Sequence, residues 1–417
     1  MKILFLTHRV PYPPNKGDKI RSYNEMIGLI ERGHEVHLMA FADDPRDLSY
    51  QVFLRRLCSS VQIVPLDRLK SKLRASVNLF SSKPLSLGYF ASAIMKRLVE
   101  EAIVRQGFDA IFVYSSLMAQ YVTPGQERRT VVDLVDVDSE KWREYARVKK
   151  TPLSWLYNSE WKRLRRYEYN IVSRFSHSIL CTQREASLLD KLDELTRRSR
   201  LHVMTNGVDL DYFRPELVAF NPARPRLVFT GAMNYYANID GVRWFVDEVL
   251  PLIRRSEPGV EFLIVGSNPT SEVKKLGERA GVTITGFVDD IRPYLHGAHA
   301  CVVPLRIARG IQNKILEAMA AGKAVIATQE AVAGLRVVDG EQLLVANKPR
   351  EFGAAALKLI RDPGLRRQLG YCSRRFVESE HDWEPILREI VELVESVARR
   401  PRVTRGWRPM VEAELRS

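Results

Sequence analysis

Short apolar runs alternate with longer stretches of helical period along most of this chain, and that alternation narrows its possible folds more than any other feature. Seven runs come first: KILFLT, EVHLMAF, SVQIVPL, DAIFVY, TVVDLVD, HSILCT and RLHVMTN. Runs this short and this apolar predict strands buried on both faces, and the helical patterns between them (19–32, 88–106, 157–175) predict the crossovers of a parallel sheet. After Asn206 the text turns to NGVDLDYFRPELVAFNPARPR, which has three prolines and little period. A second series follows, RLVFTG, EFLIVGS, VTITGF, ACVVPL, KAVIAT and LLVA, with helices expected over 238–256, 270–280, 311–321 and 351–361. The expected fold class is therefore α/β, with two Rossmann-like parallel-sheet domains facing a central cleft. We place them at 1–205 and 226–383, joined by a linker at 206–225. The stretch 384–398 predicts a closing helix that packs back on the first domain, and 399–417, with five Arg by Arg408, a basic flexible tail.

Composition removes the other broad classes. With 45% hydrophobic and 27% charged residues in 417, the chain is neither disordered nor fibrous. Cys58, Cys181, Cys301 and Cys372 have no short spacing, which argues against a disulfide framework, a zinc knuckle or a CxxC pair. Polar Thr7, His8 and Arg9 interrupt the N-terminal apolar run, so no signal peptide is expected, and no uncharged run is long enough for a transmembrane helix. The net charge of +14 is uneven. Residues 1–200 hold 34 basic and 23 acidic side chains, or +11, leaving 30 and 27, or +3, for the remainder. An anionic partner should therefore meet the first half.

The segment PLRIARGIQNKILEAMAAGKAVIAT (304–328) carries the strongest chemical signal. A strand ends at Pro304, a loop with Arg306, Arg309 and Gly310 follows, and a helix begins near Ile311. Lys314 and Glu317 lie on one face of that helix near its N-terminus, where unpaired N–H groups and the helix dipole suit a phosphate. Lys314 would add a full charge, Glu317 could accept from ribose hydroxyls, and Gly322 would end the helix. An ordinary Lys–Glu surface pair gives the same spacing. In PPNKGDKIRS, Gly17 stands between the first strand and the first helix, where a diphosphate could approach the backbone; a plain turn is the alternative.

Several segments together resemble glycosyltransferase family 4, the retaining GT-B transferases: 304–328, NGVD with Phe213 and Pro215, and TGAMNYYANIDGVRWF at 230–245. THRVPYPPNKGDKIRS, VDVDSEKW and PLRIARGIQNKILEAMA look more narrowly like the exopolysaccharide sugar transferases of the exosortase (PEP-CTERM) system. The resemblance runs from residue 1 to about 395. It implies a metal-independent hexosyltransferase without a cofactor, whose donor substrate is a nucleoside diphosphate sugar. The base would lie near Gly286 and Phe287, the ribose on Glu317, and the diphosphate on Lys314, Arg309 and the Gly17 loop. Gly231, Asn238, Arg306, Gly310, Ile311, Gln312 and Asn313 would complete the donor site. Two departures stand out. Glu317 fills the second Glu of an E-x7-E motif, but the first position is Arg309. The Arg and Lys that many relatives place after the first glycine of the second domain are also missing, since Gly231 is followed by Ala232, Met233 and Asn234.

The resemblance makes Lys314, Arg309 and Asp136 catalytic and points to His8, Lys19, Arg21 and Asp138 on the acceptor side, with Asp136 or Asp138 contacting the acceptor hydroxyl or the donor sugar. Asp136 and Asp138 also form a DVD, which on a strand would face one side and could share a cation. The twin-domain pattern belongs to metal-independent enzymes, so no metal site is assigned. Between 141 and 174, ten Lys or Arg, among them Lys162, Arg163, Arg165 and Arg166, interleave with Trp and Tyr. That composition suits an anionic membrane surface, and no nucleic-acid-binding signature accompanies it. A polyprenyl-diphosphate-linked glycan as acceptor, and a peripheral place on the inner face of the plasma membrane, follow from the resemblance. The rival readings are a GT-B nucleotide-sugar epimerase and an inactive membrane-associated scaffold.

Overall fold

A computed structural model describes residues 1–148, 150–189, 193–216 and 224–398. All thirteen apolar runs form strands. The first seven, β1 (Lys2–Thr7), β2 (Glu35–Ala42), β3 (Ser60–Pro65), β4 (Ala110–Tyr114), β5 (Thr130–Val135), β6 (His177–Leu180) and β7 (Leu201–Val203), make one sheet. The other six, β8 (Arg226–Thr230), β9 (Glu261–Val265), β10 (Val282–Gly286), β11 (Ala300–Val303), β12 (Val325–Ala327) and β13 (Leu344–Val345), make the second.

Every pairing in both sheets is parallel, with orders β3-β2-β1-β4-β5-β6-β7 and β10-β9-β8-β11-β12-β13. Each order reverses once, between β1 and β4 and between β8 and β11. Such a reversal opens a crevice beyond the carboxyl ends of the strands, which is where open α/β sheets hold ligands. The central strands are dry on both faces, as in β4, where all five residues are buried.

The helix Trp383–Ala398 belongs to the core of the first domain. Its Leu387, Ile390, Val391 and Val394 pack in one cluster with Ile3, Phe5, Met26 and Leu38. Gly28 makes room for it, since a Cβ there would lie 3.1 Å from Leu387 Cδ1. The chain thus crosses between domains twice, and the crossings run side by side: Val208 pairs with Asp382, and His381 Nδ1 lies 2.8 Å from the Asn206 carbonyl oxygen. Of the 206–225 stretch, residues 217–223 lie outside the described residues, as does the basic tail at 399–417.

Several elements differ from expectation. The DVD aspartates do not share a strand. β5 ends at Val135, whose φ is +67°, Asp136 lies in the loop, and Asp138 opens the helix Asp138–Val148. The premise of a shared strand face fails, and no cluster among the described residues could hold a metal. The helix at 313–320 begins two residues later than expected, with Gln312 at its N-cap. It closes on Gly322 (φ +66°), with Gly322 N–H donating to Met319 O and Lys323 N–H to Ala318 O. Helices at Arg68–Val77 and Pro363–Glu380 had no counterpart in the sequence reading.

Candidate functional site at the interdomain cleft

The two carboxyl edges meet through close approaches at Gly17 and Gly310. A Cβ on Gly17, at the start of helix Gly17–Glu31, would lie 3.8 Å from Asn313 Nδ2, so the first helix of one domain faces the N-terminus of helix Asn313–Ala320 in the other. Asn206 Nδ2 donates to Asn313 Oδ1 at 2.9 Å. Gly310, with φ +57°, lies so close to the Asp136 carboxylate that any Cβ would overlap it.

On the second domain, glycines end three strands at the cleft: Gly231, Gly266 and Gly286. Gly266 is required by contact, since its Cβ would fall on the Gly231 carbonyl oxygen. Gly266→Ala should therefore cost about 1–3 kcal/mol, read as a lower urea midpoint at unchanged slope; an unchanged midpoint would contradict the packing described.

Lys314 stands over this glycine floor. A Cβ at Gly231 would be 2.9 Å from Lys314 Nζ, which donates to Asn238 Oδ1 at 2.7 Å and sits 4.1 Å from the Phe229 ring centre. Asn238 is itself fixed by donating to the Ala232 carbonyl at 2.8 Å. Burial pulls the Lys314 ammonium down to about 7, against the opposing pull of Glu317. The same burial pushes Glu317 up to about 7, with Lys314 opposing. Among the described residues nothing hydrogen-bonds the Glu317 carboxylate, so a cation and a carboxylate stand half-buried one helical turn apart without holding each other.

The two arginines of the 304–312 loop, expected at the diphosphate, both hold carboxylates in this structure. Arg306 pairs with Asp240 in bidentate fashion, at 2.9 and 2.5 Å. Arg309 reaches across the cleft to three carboxylates of the first domain: Glu144 at 2.8 Å, Glu185 at 3.3 Å and Glu140 at 3.9 Å. Gln312 braces the loop by donating to the Arg309 carbonyl, and Ile311 is half-buried against the second core. A second ion pair, Arg184–Glu330 at 3.3 Å, also joins the domains. The sequence reading missed Glu140, Glu144 and Glu185, because they are unremarkable acids on two helices, 138–148 and 183–188, and only the fold brings them to Arg309.

Of the residues expected to meet an acceptor, His8 lies at the end of β1, stacked on Tyr114 at 5.8 Å and edge-on to Phe90. Burial, reinforced by Arg9, lowers its pKa to about 4, so the imidazole is neutral at neutral pH. Asp136 accepts from the Cys181 thiol at 2.8 Å, and burial raises both it and Asp138, the latter to about 6.

Lys19 and Arg21 do not serve the cleft. Lys19 is buried against Asp47 at 2.8 Å. Arg21 is fully buried, paired with Asp133 at 2.6 Å and Glu25 at 3.0 Å, and donates to the Met204 and Thr205 carbonyls. The basic–aromatic interleaving is divided between inside and outside, with Trp155, Arg147 and Arg174 exposed. Arg163 donates to the Asn78 carbonyl and Arg165 pairs with Glu140, while Trp142, Tyr145 and Tyr157 pack on one another; only Lys162 and Arg166 of that quartet are exposed. Phe287 is exposed beside Gly286, whose φ is +73°. A recess of about 530 Å³ runs along β10 from Val282 to Gly286, but neither Lys314 nor Glu317 lines it.

Comparison with solved structures decides the architecture. Sucrose-phosphate synthase from Thermosynechococcus elongatus superposes with a TM-score of 0.69 at 18% identity, covering 95% of this chain and 99% of that one. The fold is GT-B. Anabaena HepE in complex with UDP-glucose shares this GT-B fold with a TM-score of 0.67 at 16% identity, covering 95% and 100%. Residues 224–362 match the family model "Glycosyl transferases group 1". Among curated proteins, one from the cps region of Klebsiella pneumoniae is 19% identical over 407 residues, 93% of this chain and 98% of that protein. A glycosyltransferase of Methanocaldococcus jannaschii is 25% identical over 187 residues, 41% and 45% of the two chains. Family model and fold together support a GT-B glycosyltransferase.

Proposed function

We propose that the chain is a retaining, metal-independent hexosyltransferase that moves a sugar from a nucleoside diphosphate donor to a polyprenyl-diphosphate-linked glycan during exopolysaccharide assembly at the inner face of the plasma membrane. The observation that carries the donor half is Lys314, poised at a helix N-terminus over bare Gly231, with Glu317 one turn on. Lys314 and the Gly17 loop take the diphosphate, Glu317 the ribose, and the Gly286–Phe287 corner the base. The bond from the sugar's C1 to the diphosphate breaks, the acceptor oxygen bonds C1 on the same face, and the acceptor proton passes to the leaving phosphate. Charge placed in advance at that phosphate lowers the barrier. Arg309 holds the domains closed through Glu144 and Glu185 instead of reading the sugar. Asp136 and His8 line the acceptor side.

The UDP-glucose complex of HepE supports a nucleotide-sugar donor, and the cps-region relative supports a polysaccharide product. Thermal shift with UDP, GDP, ADP and their sugars tests the reading. A ligand at 100 times its Kd should add about 2.7 kcal/mol of stability. If none of the panel raises Tm, the inactive-scaffold reading replaces this one; conversion of the donor alone, without acceptor, would mark an epimerase.

A further inference from the structure

The helix Arg68–Val77 is built inside out. Leu69, Leu73 and Val77 stand 75%, 69% and 71% exposed, and at spacings of four they form one stripe along the helix. The inward face is Ser71 and Ala75, small enough for the backbone of helix Leu85–Tyr89 to lie directly on it. A Cβ on Gly88 would stand 2.9 Å from Ala75 Cα and 3.0 Å from the Arg74 carbonyl oxygen. A helix seated on a soluble protein normally turns its leucines to the core and its serine outward. A contiguous apolar stripe left in solvent marks an interaction surface.

The flanks say what covers it. On a helical wheel, Lys70 borders the stripe on one side and Lys72 and Arg68 on the other, and all three are exposed. From 66 to 83 the chain carries five cations (Arg68, Lys70, Lys72, Arg74, Lys83) and one anion, Asp67. Asp67 is used as the N-cap, accepting from the Leu69 and Lys70 N–H groups. An apolar stripe between cationic margins is complementary to a bilayer interface, with acyl chains under the leucines and anionic headgroups at the lysines.

The position fits as well. The helix follows β3 at the carboxyl edge of the first sheet, the edge that carries His8. The next helix, Leu85–Tyr89, runs into Phe90, whose ring is edge-on to His8 at 5.8 Å. One supersecondary unit thus links the stripe to the acceptor side of the cleft.

We propose that helix 68–77 docks the protein on an anionic lipid bilayer, with Leu69, Leu73 and Val77 inserted and Lys70 and Lys72 on the headgroups. This helix thereby adds a membrane contact to that expected of the 141–174 segment, where Trp155, Arg147, Arg166 and Arg174 are exposed. The inference deepens the proposed transfer to a lipid-linked glycan and rests on it for the acceptor.

Cosedimentation of the full chain with phosphatidylglycerol–phosphatidylcholine vesicles, and with phosphatidylcholine alone, tests it. The wild type should bind the anionic vesicles in a salt-dependent way and the neutral ones at least about tenfold more weakly. Leu69→Glu/Leu73→Glu should weaken binding about tenfold or more, with circular dichroism and the nucleotide-induced Tm shift unchanged; Lys70→Glu/Lys72→Glu should do the same in part. Equal binding by the leucine variant, equal binding to neutral vesicles, or no wild-type binding would overturn the proposal. So would a concentration-dependent dimer that the leucine variant dissolves, since the stripe would then cover a second copy of the chain. A protein that shifts with nucleotide but does not sediment fails this proposal alone. One that sediments but never shifts fails the transferase reading alone.

Discussion

Lys314→Ala should lower kcat about 10²–10³-fold, the loss typical of removing one preorganised charge or donor from a developing anion, while Tm stays within experimental scatter. The asymmetry follows from the geometry. Lys314 Nζ is held by one hydrogen bond to Asn238 and by the Phe229 ring, and burial already disfavours its charge, so removing it takes little from the empty protein. Arg306 and Arg309 each hold carboxylates in the empty cleft and would have to leave them to substitute.

The same residue sets a pH signature. In the empty cleft its pKa is lowered to about 7. A bound diphosphate favours the ammonium, so binding above pH 7 takes up a proton, and affinity for a nucleoside diphosphate should fall with rising pH by up to about tenfold per unit until the bound-state pKa is reached. Calorimetry in buffers of different ionisation enthalpy reads that proton directly. Transfer at the wild-type rate by folded Lys314→Ala, or the same proton uptake in it, would show that the diphosphate lies elsewhere.

Arg21→Met should be the most destabilising single change, at about 3–5 kcal/mol, or roughly 6–20 °C in the Tm of the first domain. One guanidinium serves two buried carboxylates, Asp133 and Glu25, and burial together with Asp133 pushes Glu25 well up toward its neutral acid. Removing Arg21 strands the Asp133 charge in the core and frees the carbonyls of Met204 and Thr205, where the chain leaves the first sheet. Adding Asp133→Asn to Arg21→Met should recover part of the loss, because the stranded charge goes. If the single variant melted like the wild type, the buried ion pair would not have the weight given to it here.

The contrast between these residues shows what the sequence made legible. Strands could be read because burial on both faces writes itself locally, as in the AIFVY of β4. The 313–320 helix could be read because an N-terminal Lys and a terminal Gly322 flank an apolar stripe. Lys19 and Arg21 were misjudged because their partners, Asp47 and Asp133, are 28 and 112 residues away, and a cation looks the same in sequence whether it meets water or a carboxylate. The ion pairs of Arg309 were hidden for the same reason, its counter-charges lying on the helices 138–148 and 183–188. Helix 68–77 escaped because its leucines point outward. Helix 363–380 escaped because it seats a glycine, Gly370, where a Cβ would overlap the Gly322 carbonyl, a contact with no trace in local pattern.

The last described helix completes the first domain, and this orders the protein's assembly. As the chain leaves the ribosome, the face of the first sheet that carries Ile3, Phe5 and Leu38 waits uncovered while the entire second domain is made. Only when Leu387, Ile390 and Val394 emerge can that face close. The second domain is therefore free to fold first. The first domain becomes whole only after the second has been made, so a chain cut before Trp383 would lose the first domain and not the second.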